Sequence, residues 1–92
     1  MADIEKAMKV AQKIGNAIVK KFPKHELFVR RTALADAGYI EIALRPDGGS
    51  YAQEVSTAYS DEYFSTANTD NLQAKAKTIL KDFRLNFGVL DV

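Results

Sequence analysis

The amino-acid sequence predicts an α+β two-layer sandwich: a helix, three or four antiparallel strands and a second helix, with both helices on one face of the sheet. Three observations carry that expectation. Apolar residues recur at spacings of three and four near both ends of the chain, they alternate with polar ones in the middle, and a Pro-Asp-Gly-Gly bend separates two alternating runs. The 92 residues, 47% hydrophobic and 27% charged, leave no room for a second core, so residues 1–92 read as one globular domain.

The first helix is expected over residues 3–22. Ile4, Ala7, Met8, Ala11, Ile14, Ala17, Ile18 and Phe22 fall on one face, Asp3 can cap the start, and Pro23 disfavours helix at Phe22. Residues 26–32, ELFVRRT, are rich in β-formers and read as a strand. The ALADAG segment that follows reads as a turn in which Gly38 takes positive φ.

Residues 39–45 alternate, with Ile40, Ile42 and Leu44 on one side and Tyr39, Glu41, Ala43 and Arg45 on the other, as in a strand buried on one face. Pro46 presets φ for a turn, Asp47 bonds back to its own backbone and Gly48 supplies a left-handed residue. The expected hairpin register sets Arg45 against Ser50, Leu44 against Tyr51, Ile42 against Gln53 and Ile40 against Val55. It also sets Glu41 opposite Glu54 on the outer face, a like-charge pair that needs Arg30 or a group outside the domain between them.

Beyond Tyr59 a short fourth strand is expected over residues 62–66. Asp70 with Gln73 resembles a capping box, and Leu72, Ala76, Ile79, Leu80, Phe83 and Phe87 mark the second helix, which Gly88 can close.

Catalytic signatures are scarce. The chain has no cysteine, which removes disulfides, thiolate nucleophiles and cysteine metal sites together. Gly48 and Gly49 feed a strand, and no lysine follows them as a phosphate loop requires. His25 is the one histidine; it has no helix-spaced ligand partner, and Glu26 beside it points to the other face of a strand. No carboxylate pair stands out as acid and base, and no serine sits in a nucleophile motif. The expectation is a protein without catalytic residues, metal, cofactor or small-molecule substrate. The N-terminus is charged from its third residue and no segment approaches the roughly 20 apolar residues of a membrane span, so the expected location is the cytoplasm.

Charge layout is more informative. Net charge is +1, yet the first helix and its exit carry Lys6, Lys9, Lys13, Lys20, Lys21 and Lys24 against Asp3 and Glu5. Lys6, Lys9, Lys13 and Lys20 form a stripe on the polar face, and Lys77, Lys81 and Arg84 form a shorter one on the second helix. The segments between hold Glu26, Asp36, Glu41, Asp47, Glu54, Asp61 and Glu62 against Arg30, Arg31 and Arg45. A charged outer face is what any exposed helix needs, and lysine provides one. Mixed Glu–Lys pairs would stabilise the helix better, however, and repeated lysine also suits a phosphate backbone or an acidic protein surface, so both readings stand. Tyr59, Asp61, Glu62, Tyr63 and Phe64 form an acidic, aromatic cluster, read either as an interface anchor or as core residues Tyr59 and Phe64 with Tyr63 half-exposed beside them. The expected partner-binding residues are Lys9, Lys13, Lys20, Arg30 and Tyr63.

Two resemblances follow from these residues. The helix–three strands–helix order is similar to that of double-stranded-RNA-binding domains, and Gln73-Ala74-Lys75-Ala76-Lys77 resembles the Lys-Lys-x-Ala-Lys that opens their second helix. The family's Gly-Pro-x-His loop is replaced here by Ala33-Leu34-Ala35-Asp36-Ala37-Gly38. In overall build the chain also resembles small phage-encoded inhibitors of the anti-CRISPR type: one compact α+β domain, no cysteine, no catalytic set and partitioned charge. That resemblance implies a protein or ribonucleoprotein partner and steric inhibition. Lysines would meet nucleic acid or an acidic surface, and Glu41, Glu54, Asp61 and Glu62 would meet basic grooves. Direct nucleic-acid binding and a structural role in a larger assembly are the alternatives.

Overall fold

A computed structural model describes residues 4–34, 37–66 and 69–87. Helix α1 (Ile4–Val19) leads into strands β1 (His25–Leu34), β2 (Ala37–Pro46) and β3 (Val55–Ser60). A short helix α2 (Asp61–Ser65) and a long helix α3 (Leu72–Phe87) follow. The strands form one antiparallel sheet in the order β1-β2-β3, and the helices pack on one of its faces. This is the α+β two-layer sandwich expected, with three strands and one additional helix.

The core lies between the layers. Alternation along β2 sends Ile40, Ile42 and Leu44 towards the helices, where each is fully buried. They meet Ala7, Ala11, Ile14 and Ile18 of α1, Phe64 of α2, and Ala76, Ile79 and Phe83 of α3. Each fully buried aliphatic or aromatic side chain contributes roughly 1.5–3 kcal/mol of transfer free energy. Ile4, which spacing assigns to the buried face, is instead 45% exposed, because it begins the helix beyond the reach of the core. Asp3 and Gly88, expected to cap α1 and close the last helix, lie outside the described residues.

Several boundaries differ from expectation. α1 stops at Val19, and two turn bonds, Lys21 N–H to Ile18 O and Phe22 N–H to Val19 O, complete its end before Pro23 is reached. The first two strands run up to Leu34 and resume at Ala37. Gly38 is therefore no turn residue: it sits in β2 opposite Ala33. A Cβ there would overlap Asp61 Oδ2 and Arg31 Nη2, so close approach of an ion pair, not positive φ, calls for glycine.

The β2–β3 register differs too. Leu44 pairs with Val55, Ile42 with Thr57 and Ile40 with Tyr59, a slip of four residues from the expected hairpin. An even slip keeps the faces of the residues that stay in the ladder, but Tyr51, expected opposite Leu44 on the buried side, leaves the strand and is 72% exposed. The bend itself is as expected, with Gly48 at φ 75° and Gly49 N–H donating to Pro46 O. The extra length is taken up by a 3₁₀ turn at Tyr51–Gln53, held by a capping box between Ser50 and Gln53. Glu41 faces Ala58 rather than Glu54.

Residues 62–66 form no fourth strand. Ser60 Oγ accepts from Tyr63 N–H as an N-cap, Asp61 and Glu62 occupy the favoured acidic positions of a first helical turn, and α2 results. Asp70 lies inside a 3₁₀ turn, Thr69–Asn71, and not in the cap position immediately before α3.

Candidate interaction surfaces

Three side-chain groups organise the surface. The first covers the sheet face turned away from the helices. Arg30 Nη2 reaches Glu41 Oε1 at 3.0 Å and also bonds Glu54 Oε1, while Arg45 Nη2 donates to Glu54 Oε2 at 2.9 Å. Arg30 thus joins the two glutamates, as the like-charge argument required, although they do not face each other in the ladder. Phe28 lies beneath both guanidinium groups, its ring centroid 5.4 Å from Arg30 Cζ and 4.6 Å from Arg45 Cζ. Tyr51, 72% exposed, approaches Arg45 at 5.6 Å. Under this layer Ala43 is fully buried although no helix covers it among the described residues. Burial alone would push the Glu54 carboxyl up, but hydrogen bonds from Arg30 and Arg45 outweigh it and hold that carboxyl below its ordinary range. The hydrogen bond to Glu54 in turn raises Arg30.

The second group ties the sheet to α2. Arg31 Nε and Nη2 both donate to Asp61 Oδ2, at 3.2 and 2.9 Å, and Asp61 is buried at the start of its helix. In the third, Tyr59 and Tyr63 stack with centroids 4.6 Å apart, and Phe64 meets both edge-on. Lys75 Nζ lies 3.9 Å from the Tyr63 ring centroid and donates to the Tyr63 carbonyl at the end of α2. Burial lowers the Lys75 amine and raises the Tyr63 phenol. Lys75 therefore fastens α2 to α3 instead of standing in the open beside exposed Lys77, which the double-stranded-RNA-binding resemblance would ask of it.

The five expected binding residues do not share a surface. Lys9 and Lys13 are exposed on α1 and Lys20 in the turn after it. A helical rise of 1.5 Å per residue sets Lys9 and Lys13 about 6 Å apart along the axis. Arg30 is on the far side of the sheet, inside the first group, and Tyr63 is half-buried within the third. Phe28, Arg45 and Tyr51 were not singled out from the sequence. The signal for Phe28 and Arg45 was period-two alternation, which puts them with Arg30 and Glu41 on one face; Tyr51, in the 3₁₀ turn, had no such signal.

The pairing has a consequence for the field of the molecule. Arg30, Arg31 and Arg45 are matched by Glu41, Glu54 and Asp61, so the sheet largely neutralises itself. Among the described residues, no salt bridge involves Lys9, Lys13 or Lys20. The same residues offer no group of three or more metal-ligating side chains and no helix long and apolar enough to cross a membrane. Compared with protein-family models, curated proteins and solved structures, the chain matches none of them.

Proposed function

We propose that this chain is a non-enzymatic binding protein: a small cytoplasmic inhibitor that docks on a nucleic-acid-handling protein complex and blocks its nucleic-acid contacts by occupying their surface. One observation carries the reading. Glu41, Glu54 and Asp61 are taken up by Arg30, Arg31 and Arg45, which leaves Lys9 and Lys13 of α1 and Lys20 just after it as positive charge without a salt bridge inside the chain. Exposed lysines on a helix backbone held by a packed core form a cationic ridge suited to a polyanionic surface, and ordering each side chain on contact costs about 0.5–1.5 kcal/mol. Glu41, Glu54 and Asp61, bonded within the chain, have no part in the contact; exposed Glu62 remains available to a basic one.

The test is charge reversal, Lys9→Glu with Lys13→Glu and Lys20→Glu. All three are exposed, and surface substitutions of this kind change stability by about 0.5 kcal/mol or less each. The variant should therefore fold normally and lose capture of the partner from nuclease-treated extract. Capture unchanged by the reversal would remove the stripe from the mechanism. Direct binding to naked duplex is separated by salt titration. That mode gives a steep fall of log affinity with log salt, and its slope should shrink by about 2 to 3 in the variant.

A further inference from the structure

We infer that β1 is a self-pairing edge: two copies of the chain join antiparallel along β1, with Phe28 opposite Phe28 of the second copy, into one six-stranded sheet. The inference stands apart from the proposal for the lysine stripe. It starts from the sheet order, in which β1 is an edge strand of ten residues, while the other edge, β3, has six. From Glu26 to Arg31 the edge contains no proline, glycine or lysine, and its ladder to β2 runs without a bulge. Proline, lysine and bulges are usual devices that keep edges from pairing; the charges β1 does carry there, Glu26, Arg30 and Arg31, are of both signs, so Glu26 and Arg30 can pair across a two-fold.

The phase of the ladder says which backbone groups are free. Asp47 N–H donates to Lys24 O at 2.9 Å, which continues the β1–β2 pairing by one step. Even-numbered residues of β1 therefore bond to β2, and the N–H and C=O of Leu27 and Val29 point out along the open edge. An antiparallel two-fold pairing centred on residue 28 joins Leu27 to Val29 of the second copy, and Val29 to its Leu27, by those groups.

Side chains choose the same centre. With Phe28 on the axis, Glu26 lies opposite Arg30 of the second copy on one face, and half-buried Leu27 meets Val29 on the other. Opposite charges and paired apolar groups both favour such neighbours. Shifting the centre by one residue towards the N-terminus sets Lys24 against Arg30. Shifting it to Val29 sets Leu27 against Arg31, and shifting it to Arg30 sets that arginine against itself. The self-complementary register keeps the helices of both copies on one side of the sheet, as an isologous two-fold contact demands.

The absence of cysteine makes the test clean. Residues on the axis of a non-hydrogen-bonded pair have Cα atoms about 4.5 Å apart, within reach of a disulfide. Phe28→Cys should therefore give a covalent dimer on mild oxidation, while Val29→Cys and Ala58→Cys should stay monomeric. In the unmodified protein, sedimentation equilibrium at about 0.1 mM and above should show a monomer–dimer equilibrium, which Glu26→Arg weakens about tenfold by setting like charges opposite Arg30 twice. Glu26 is exposed, so that variant should keep its fold. A monomer throughout, a dimer indifferent to Glu26→Arg, or cross-linking through Val29→Cys or Ala58→Cys in place of Phe28→Cys would each overturn the inference.

Discussion

Replacing Glu54 with Gln tests whether the outer sheet face is held by charge. The Glu54 side chain is 7% exposed and accepts from one arginine on each carboxylate oxygen. Gln keeps one acceptor, so one charge-assisted bond is lost and the other falls to an ordinary one. A hydrogen bond to a charged group contributes about 1.5–3 kcal/mol. Arg30 and Arg45 are 35% and 24% exposed, so solvent recovers part of that, and a net loss of about 2 kcal/mol remains. For a domain of this size the melting temperature should drop by about 8–16 °C. Folding lowers the Glu54 pKa from its ordinary 4.5, so the native state binds fewer protons. The contribution is complete above 4.5 and disappears as pH falls through the folded value. In the Gln variant it is missing at every pH. Thermal melts followed by circular dichroism should show the two proteins far apart at neutral pH and converging in acid. A drop under about 2 °C at neutral pH, or a gap that does not narrow as pH falls below the ordinary 4.5, would refute the argument.

Two further substitutions probe the frame. Gly38→Ala drives a Cβ into the Arg31–Asp61 pair and should cost about 2 kcal/mol, less than a fully buried pair because Arg31 keeps solvent access; a denaturant midpoint equal to wild type would show that the pair moves aside freely. Phe64→Ala empties a fully buried site beneath α1 and α3 and should cost about 3–5 kcal/mol, enough to populate the unfolded state at 37 °C; a cooperative melt within a few degrees of wild type would count against it as a core residue.

The layer architecture was legible because periodicity reports burial directly: Ile40, Ile42 and Leu44 alternate in sequence and are all buried in space. Strand register was not legible from the same signal, since a slip of four residues preserves the face of every residue that stays in the ladder. A local signal would have corrected it. Ser50-Tyr51-Ala52-Gln53 spells a capping box, which turns residues 51–53 away from the strand. Ser60-Asp61-Glu62 likewise reads as the start of a helix, a short-range preference that aromatic Tyr63 and Phe64 obscured by suggesting β structure. The lysine stripe was visible in the sequence; its isolation was not. That depended on which carboxylates the arginines found, and Arg31 found Asp61, thirty residues away.

The sheet follows the chain, β1-β2-β3, so each strand pairs with its immediate predecessor. Such a meander needs no long loop to close before its ladders form, and it can zip hairpin by hairpin on a fast timescale. The helical layer has the opposite kinetics. α1 packs on β1 and β2 as well as on α2 and α3, so during synthesis the strands cover part of its apolar side and the rest waits for α2 and α3. A sheet with α1 docked and the remainder of its inner face bare is the species a chaperone would meet, and docking of α3 marks its end.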